Sequence, residues 1–282
     1  MFNIKNISSI DRLPPVQGEI LSDAPLSRIT WFRVGGPAEV LFRPADREDL
    51  AAFLRAKPAD IPVTIIGVGA NVLIRDGGIP GVLIRLGRAF ATVRIDGLTI
   101  TAGAGASDAN VSIASRNRSV AGLEFLSSIP GTIGAGLRMN AGAYGCEMSD
   151  VVSAAEAMDT DGNVHTLNSA ELDFSYRRSA TPANWIFLSA TLKGKSGQKH
   201  EISARMGEIN RERNQSQPVK LRTGGSTFIN PTGHKAWQLI EAAGCRGLTI
   251  GGAKVSDQHC NFLINTGNAT ASDLEDLGEE VL

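Results

Sequence analysis

The sequence predicts an α+β fold in three successive lobes, and three observations carry that expectation. The β-branched runs Val63-Thr64-Ile65-Ile66 and Val82-Leu83-Ile84 are bounded by glycines, as buried strands are. The dipeptides Asp96-Gly97 and Asp161-Gly162 mark antiparallel hairpins in the middle of the chain. Capped, amphipathic helices follow Asp46 and Thr270. At 282 residues the chain can hold two or three lobes and a sizeable core.

Composition excludes several classes of function. Hydrophobic content is 42% and net charge −1, with no basic excess for nucleic acid and no charged run for a membrane surface. No stretch approaches a membrane-spanning length, and MFNIKNISSIDRLPP lacks the apolar run of a secretory signal, so a cytoplasmic protein is expected. Oligomeric state is not readable from the sequence, and a monomer is the default expectation. Cys146, Cys245 and Cys260 are widely separated and the chain has only four histidines, without C-x-x-C. Neither a disulfide framework nor a metal site is expected, and the thiols should be reduced and mostly buried.

The first lobe is assigned to residues 1–92. Pro14 and Pro15 sit in an irregular entry segment, and Thr30 to Phe42 reads as two extended pieces around Gly35-Gly36-Pro37. Asp46 caps a helix carrying Leu50, Phe53 and Leu54 on one face, which ends near Pro58. A strand then enters Gly67-Val68-Gly69-Ala70-Asn71, giving a β-α-β arrangement. Gly67 and Gly69 can adopt φ > 0 and carry no Cβ, so backbone N–H groups can converge on an anion such as a diphosphate. A dinucleotide fingerprint would instead open a helix and place a third glycine where Val72 stands. The residues after Gly69 read as a short strand ending in a turn, which disfavours that alternative. A tight turn between core strands remains a competing explanation of the loop.

The second lobe covers residues 93–207 and reads as mostly antiparallel sheet. Strands flank Asp96-Gly97, Asp161-Gly162 and Lys195-Ser196-Gly197, and Ser107 caps a helix through Arg116. GLEFLSSIPGTIGAGLRMNAGAYG, residues 122–145, holds six glycines and few charges, more than a hairpin needs and suited to a wall against a flat ligand. The adjacent Arg177 and Arg178 follow Tyr176; such a pair is an ordinary surface feature, or one guanidinium forks a carboxylate or phosphate. A helix from about Ser203 turns Met206 and Ile209 inward and leaves Glu208, Arg211, Glu212 and Arg213 in water.

The third lobe covers residues 208–282. Leu221 to Pro231 reads LRTGGSTFINP, with no G-x-S-x-G pattern or nearby histidine to make Ser226 an acyl-transfer nucleophile. Residues 234–243 form a helix closed by Gly244 that presents Trp237, Leu239 and Ile240 to a core. Thr270 caps a last helix with Leu274, Leu277 and Val281 on one face.

Taken together, G-x-G-x-N at residues 67–71 and I-P-G-T-x-G…N-A-G-A-Y-G at residues 129–145 resemble the FAD-binding domain of the vanillyl-alcohol oxidase (PCMH) type. More closely, the chain resembles the UDP-N-acetylenolpyruvoylglucosamine reductase family, in the subtype lacking an extra tyrosine-bearing loop. GSTFINP and the run from Gly251 to Asn265 extend the likeness into the third lobe, so it covers nearly everything from Thr30 onward. The implied fold is two α+β FAD-binding lobes followed by a smaller α+β substrate-binding domain. The implied FAD contacts are Gly67, Val68, Gly69, Ala70, Asn71 and Val72 at the diphosphate, and Ile129, Pro130, Gly131, Thr132, Gly134, Asn140, Ala141 and Gly142 along the cofactor.

The resemblance further implies NADPH as hydride donor and UDP-N-acetylglucosamine enolpyruvate as substrate. Arg177, beside Tyr176, would meet the enolpyruvyl carboxylate, and Ser226 would protonate the reduced substrate, with Asn230 a further contact. His259 either faces the substrate or is a packed, hydrogen-bonded histidine. Ile229 stands where many members have lysine, which puts one charge contact to the nucleotide in doubt. The family's catalytic glutamate would lie beyond Leu282, and Glu279 and Glu280 do not match its motif. Either the 282 residues are a piece of a longer chain, or the chain lacks a catalytic group. Two rivals remain, a flavin alcohol or lactone oxidase and a ligand-binding protein without turnover. No histidine precedes His165, which excludes covalent flavin attachment through histidine at these loops and weakens the first.

Overall fold

The computed structural model describes residues 9–282. The first eight residues of the entry segment, where no secretory signal is read, lie outside the described residues. The chain divides into two compact units, one of residues 1–24, 39–67 and 80–209 and the other of residues 25–38, 68–79 and 210–282. The two expected FAD-binding lobes share one unit, and the second unit also takes two segments from within residues 1–92. No described helix is long and apolar enough to cross a membrane.

The first unit opens with β1 (Glu19–Pro25), β2 (Pro37–Arg43), α1 (Arg47–Ala56), β3 (Val63–Ile66) and β4 (Ile79–Arg85), in sheet order β1-β2-β4-β3. The Asp46 side chain caps α1 by accepting from Asp49 N–H, as its sequence predicts. β3 and β4 run parallel, with Val63 opposite Val82. The residues after Gly69 form no strand, contrary to expectation; they run as irregular backbone until β4. The pieces around Gly35 also differ: only β2 forms a strand, and Trp31 and Phe32 lie in a turn.

The antiparallel part of this unit comprises β5 (Val93–Asp96), β6 (Thr99–Gly103), β10 (Val152–Met158), β11 (Val164–Asn168) and β12 (Ile186–Lys193), in order β11-β10-β12-β6-β5. Between β6 and β10 lie α2 (Asp108–Asn117), β7 (Val120–Ala121), α3 (Ile133–Arg138), β8 (Gly142–Ala143), β9 (Cys146–Glu147) and α4 (Met148–Val151). Ile100, Val111, Leu126, Ile133, Leu137 and Leu192 are among the side chains of the core between this sheet and its helices. α5 (Ser169–Leu172) comes directly after β11. The expected hairpin at Lys195-Ser196-Gly197 does not form; β13 (Lys195–Ser196) pairs with β7, and α6 (Lys199–Ser216) starts earlier than the apolar pattern indicated.

The second unit holds α7 (Ala236–Ala242), the small sheet β14 (Thr249–Ile250), β15 (Ala253–Val255) and β16 (Leu263–Asn265), and α8 (Ala271–Val281). Its core joins Phe32 and Val34 to Ala236, Ile240, Val255, Leu263, Leu274 and Leu277. Trp237 and Leu239 stay exposed rather than entering it, because α7 turns only Ala236 and Ile240 inward. Thr270 caps α8 reciprocally with Asp273. Among the cysteines, Cys260 is buried while Cys146 is exposed, so burial covers fewer thiols than expected.

Candidate functional site

Candidate site residues occur in both units, and each unit is taken by itself. In the first, Gly67 ends β3, and a Cβ added there would lie 2.9 Å from Thr132 Oγ1. The two glycine-rich stretches therefore adjoin within this unit, and a side chain at position 67 would push them apart. In the second stretch, Gly134 N–H donates to Ala104 O and Ala141 N–H to Gly136 O, while Gly131 and Thr132 N–H donate to no described residue. Many of these glycines serve protein packing as well as openness. A Cβ at Gly131 would meet Asp108 Oδ2 at 2.6 Å, one at Gly134 would meet Ala104 at 2.9 Å, and one at Gly142 would meet Glu147 at 2.6 Å. Ile129 and Pro130, half-buried, end the turn before α3.

Asp108, which the sequence did not single out, is the first residue of α2 and is buried. Neither of its carboxyl oxygens has a hydrogen-bond partner among the described residues. A helix N-terminus favours a carboxylate, yet desolvation wins, and burial raises the carboxyl to about 8.

Tyr176 and Arg177 occupy the tip of a tight turn closed by Ser175 N–H to Arg178 O at 2.9 Å and Arg178 N–H to Ser175 O at 3.1 Å. Arg177 takes the left-handed conformation, φ 60°, and both side chains are exposed, the guanidinium 5.3 Å from the centre of the Tyr176 ring. No described carboxylate forms an ion pair with Arg177. Asn140, also left-handed at φ 40°, is fully buried. Its side chain is occupied within the protein, accepting from Ser149 N–H at 2.9 Å and donating to Ser175 O at 3.2 Å.

In the second unit, Val68 to Val72 form a loop in which Gly69 takes φ 70° and packs its Cα side against Ile29 O. Gly69 and Ala70 are buried. The N–H groups of Val68, Gly69, Ala70 and Asn71 donate to no described residue, although Gly69 O accepts from Trp31 N–H at 2.9 Å. A row of donors without protein acceptors, two of them buried, is the arrangement that fits a diphosphate. The Asn71 side chain donates to Gly224 O at 2.6 Å, so its amide fixes the loop to the turn before Ser226.

Ser226 is exposed and pairs through its backbone with Phe262 in an isolated antiparallel bridge. Asn261, buried and missed by the sequence reading, accepts from Phe228 N–H at 2.8 Å and donates to Phe228 O at 2.8 Å. A second strand-like clamp, Thr227 N–H to Asn261 O, completes the support beneath Ser226. Asn230 accepts from Ala236 N–H at 2.9 Å, helping to start α7, and Ile229 is 70% exposed. His259 is half-buried, its Nδ1 accepting from Asn261 N–H and its ring edge-on to Phe262 at 4.8 Å. Burial lowers its pKa, which favours a neutral ring with the proton on Nε2. Asn261 lies within the run from Gly251 to Asn265 that carries the resemblance, but its role is defined by a partner 33 residues away, which no local pattern reveals.

Comparison with known proteins gives matches over two stretches of the chain. A model described as FAD binding domain matches residues 38–168, and one described as UDP-N-acetylenolpyruvoylglucosamine reductase, C-terminal domain, matches residues 217–282. The chain is 62% identical over 271 residues to the UDP-N-acetylenolpyruvoylglucosamine reductase of Paramagnetospirillum magneticum, covering 96% of this chain and 88% of that protein. The crystal structure of the corresponding reductase from Thermus caldophilus matches with a TM-score of 0.84 at 35% identity, covering 95% of both chains. 6-Hydroxy-D-nicotine oxidase from Arthrobacter nicotinovorans matches with a TM-score of 0.50 at 20% identity over 64% of this chain and 43% of its own, a likeness of fold alone. The FAD-binding fold of the PCMH type followed by a C-terminal domain is thus the architecture of this chain.

Proposed function

The chain belongs to the UDP-N-acetylenolpyruvoylglucosamine reductase family, and from that we propose that it is an FAD-dependent oxidoreductase. In this reading it reduces UDP-N-acetylglucosamine enolpyruvate to UDP-N-acetylmuramate, a step in building peptidoglycan precursors, with NADPH as hydride donor. The observation that carries the reading is the loop from Val68 to Asn71, whose N–H groups have no described protein acceptor. A buried N–H seldom stays unpaired, and one diphosphate satisfies several at once. In the first unit, the N–H groups of Gly131 and Thr132 likewise donate to no described residue.

Bound noncovalently, FAD supplies hydride transfer, which no side chain can perform. The residues of the chain do the rest. Arg177 presents an exposed guanidinium without a described acidic partner, suited to fork the substrate carboxylate and stabilise the enolate charge that builds on hydride addition at C3. Ser226 donates the proton to C2. A hydroxyl is a weak acid, so its orientation matters, and the Asn261 clamp and the Phe262 bridge fix the backbone that carries it.

Two measurements test this. A yellow protein that releases free FAD on acid precipitation is expected; a colourless protein that takes up no added FAD overturns the reading. Ser226→Ala should slow substrate-dependent oxidation of the reduced flavin by about 10²-fold or more, the usual worth of a positioned proton donor. An unchanged single-turnover rate removes Ser226 from the role.

A further inference from the structure

We propose that Asn140 is a positioning residue for Arg177: its side-chain amide sets the left-handed turn that presents the guanidinium to the substrate carboxylate. The inference rests on the assignment of Arg177 made above and adds to it a group that acts through hydrogen bonds rather than by touching substrate.

Asn140 is fully buried, and both ends of its amide are committed. Its oxygen accepts from Ser149 N–H at 2.9 Å and its nitrogen donates to Ser175 O at 3.2 Å. The orientation is fixed chemically, since a backbone N–H can only donate and a carbonyl can only accept. Ser175 is the residue on which the turn closes, through its reciprocal pair of bonds with Arg178. Between them Arg177 holds φ 60°, which is unfavourable for a side-chain-bearing residue and persists only where the surroundings impose it.

The other flank of the turn is held from the same corner of the chain. Arg138, two residues before Asn140, donates to Thr181 O at 2.7 Å and Trp185 O at 2.7 Å while lying over the Phe187 ring at 4.9 Å. The end of α3 and the residues just after it therefore seat both sides of the segment that carries Arg177. Asn140 makes its contact at the N-terminal flank of the turn, on Ser175 itself.

The test is a titration of FAD-loaded protein with UDP-N-acetylglucosamine enolpyruvate, monitored by the shift of the flavin absorption band. Four proteins are compared: the wild type, Asn140→Ala, Arg177→Ala and the double variant. Asn140→Ala is expected to raise the apparent Kd about tenfold. The double variant should bind no more weakly than Arg177→Ala within about twofold, because coupled residues do not add. Asn140→Asp, which keeps the acceptor for Ser149 and loses the amide donor, should resemble Asn140→Ala. Additive losses, an unaltered Kd in Asn140→Ala, or failure of both Asn140 variants to form FAD-loaded protein each overturn the proposal. In the last case the amide holds the fold rather than the turn. A wild-type flavin band that does not respond to substrate overturns the assignment of Arg177 instead, and the proposal with it.

Discussion

Asp108 shows how one side chain can set a pH dependence. Its carboxyl is raised from 3.8 to about 8 by burial, with no hydrogen bond to either oxygen among the described residues. Between those two values the folded protein keeps a proton that the unfolded chain has released. Stability contributed by this group is therefore complete below about pH 4 and is lost as pH rises toward 8. The slope for one proton is up to about 1.4 kcal/mol per pH unit. Asp108→Asn should remove that slope, so urea unfolding of wild type and variant should diverge between pH 5 and pH 8, the variant becoming relatively more stable at the higher pH. Parallel pH profiles for the two proteins would contradict the assignment. The sequence marked Ser107 as the cap of α2 but gave no reason to notice its neighbour, because burial of a polar side chain depends on what packs over it, here the backbone of Gly131.

Among the elements, local signals decided what could be read in advance. Caps at Asp46, Ser107 and Thr270 and turns at Gly97 and Gly162 were legible because each depends on residues a few positions apart. α3 was not legible, since Gly134 and Gly136 weaken any helical pattern and its stability comes from burying Ile133 and Leu137. The start of α8 also has a partner that no local pattern reveals. Asp76, far away in sequence, accepts from Ala271 N–H and Ser272 N–H at 3.0 Å each, beside an Arg75–Glu275 ion pair. This is a second cap, added from a distant segment to that of the Thr270 side chain. Asp76→Ala is expected to cost about 1 kcal/mol, the usual worth of a helix cap, measured as a lower midpoint in urea with an unchanged slope.

For the whole molecule, the second unit is discontinuous, made of residues 25–38, 68–79 and 210–282. The segments 25–38 and 68–79 were assigned to the first lobe because they lie there in sequence; packing gives them to the second unit. Phe32 illustrates the reason. It belongs to the core of that unit, its carbonyl accepts from Asn265 Nδ2 at 2.7 Å, and a Cβ at Gly224 would lie 2.3 Å from its ring. A fragment of residues 210–282 should accordingly be unfolded by circular dichroism and amide dispersion, although a family model treats most of it as a domain. A cooperative thermal transition in that fragment would show that the three segments are not interdependent.

That discontinuity has a consequence during synthesis. Phe32 and Val34 leave the ribosome about 200 residues before Ala236, where the helices and strands they pack against begin, a gap of roughly ten to forty seconds at ordinary elongation rates. For that interval the nascent chain carries apolar side chains with no native partner. The second unit is completed last, so a ribosome that stalls between Ile79 and Asn210 leaves a chain suited to capture by chaperones.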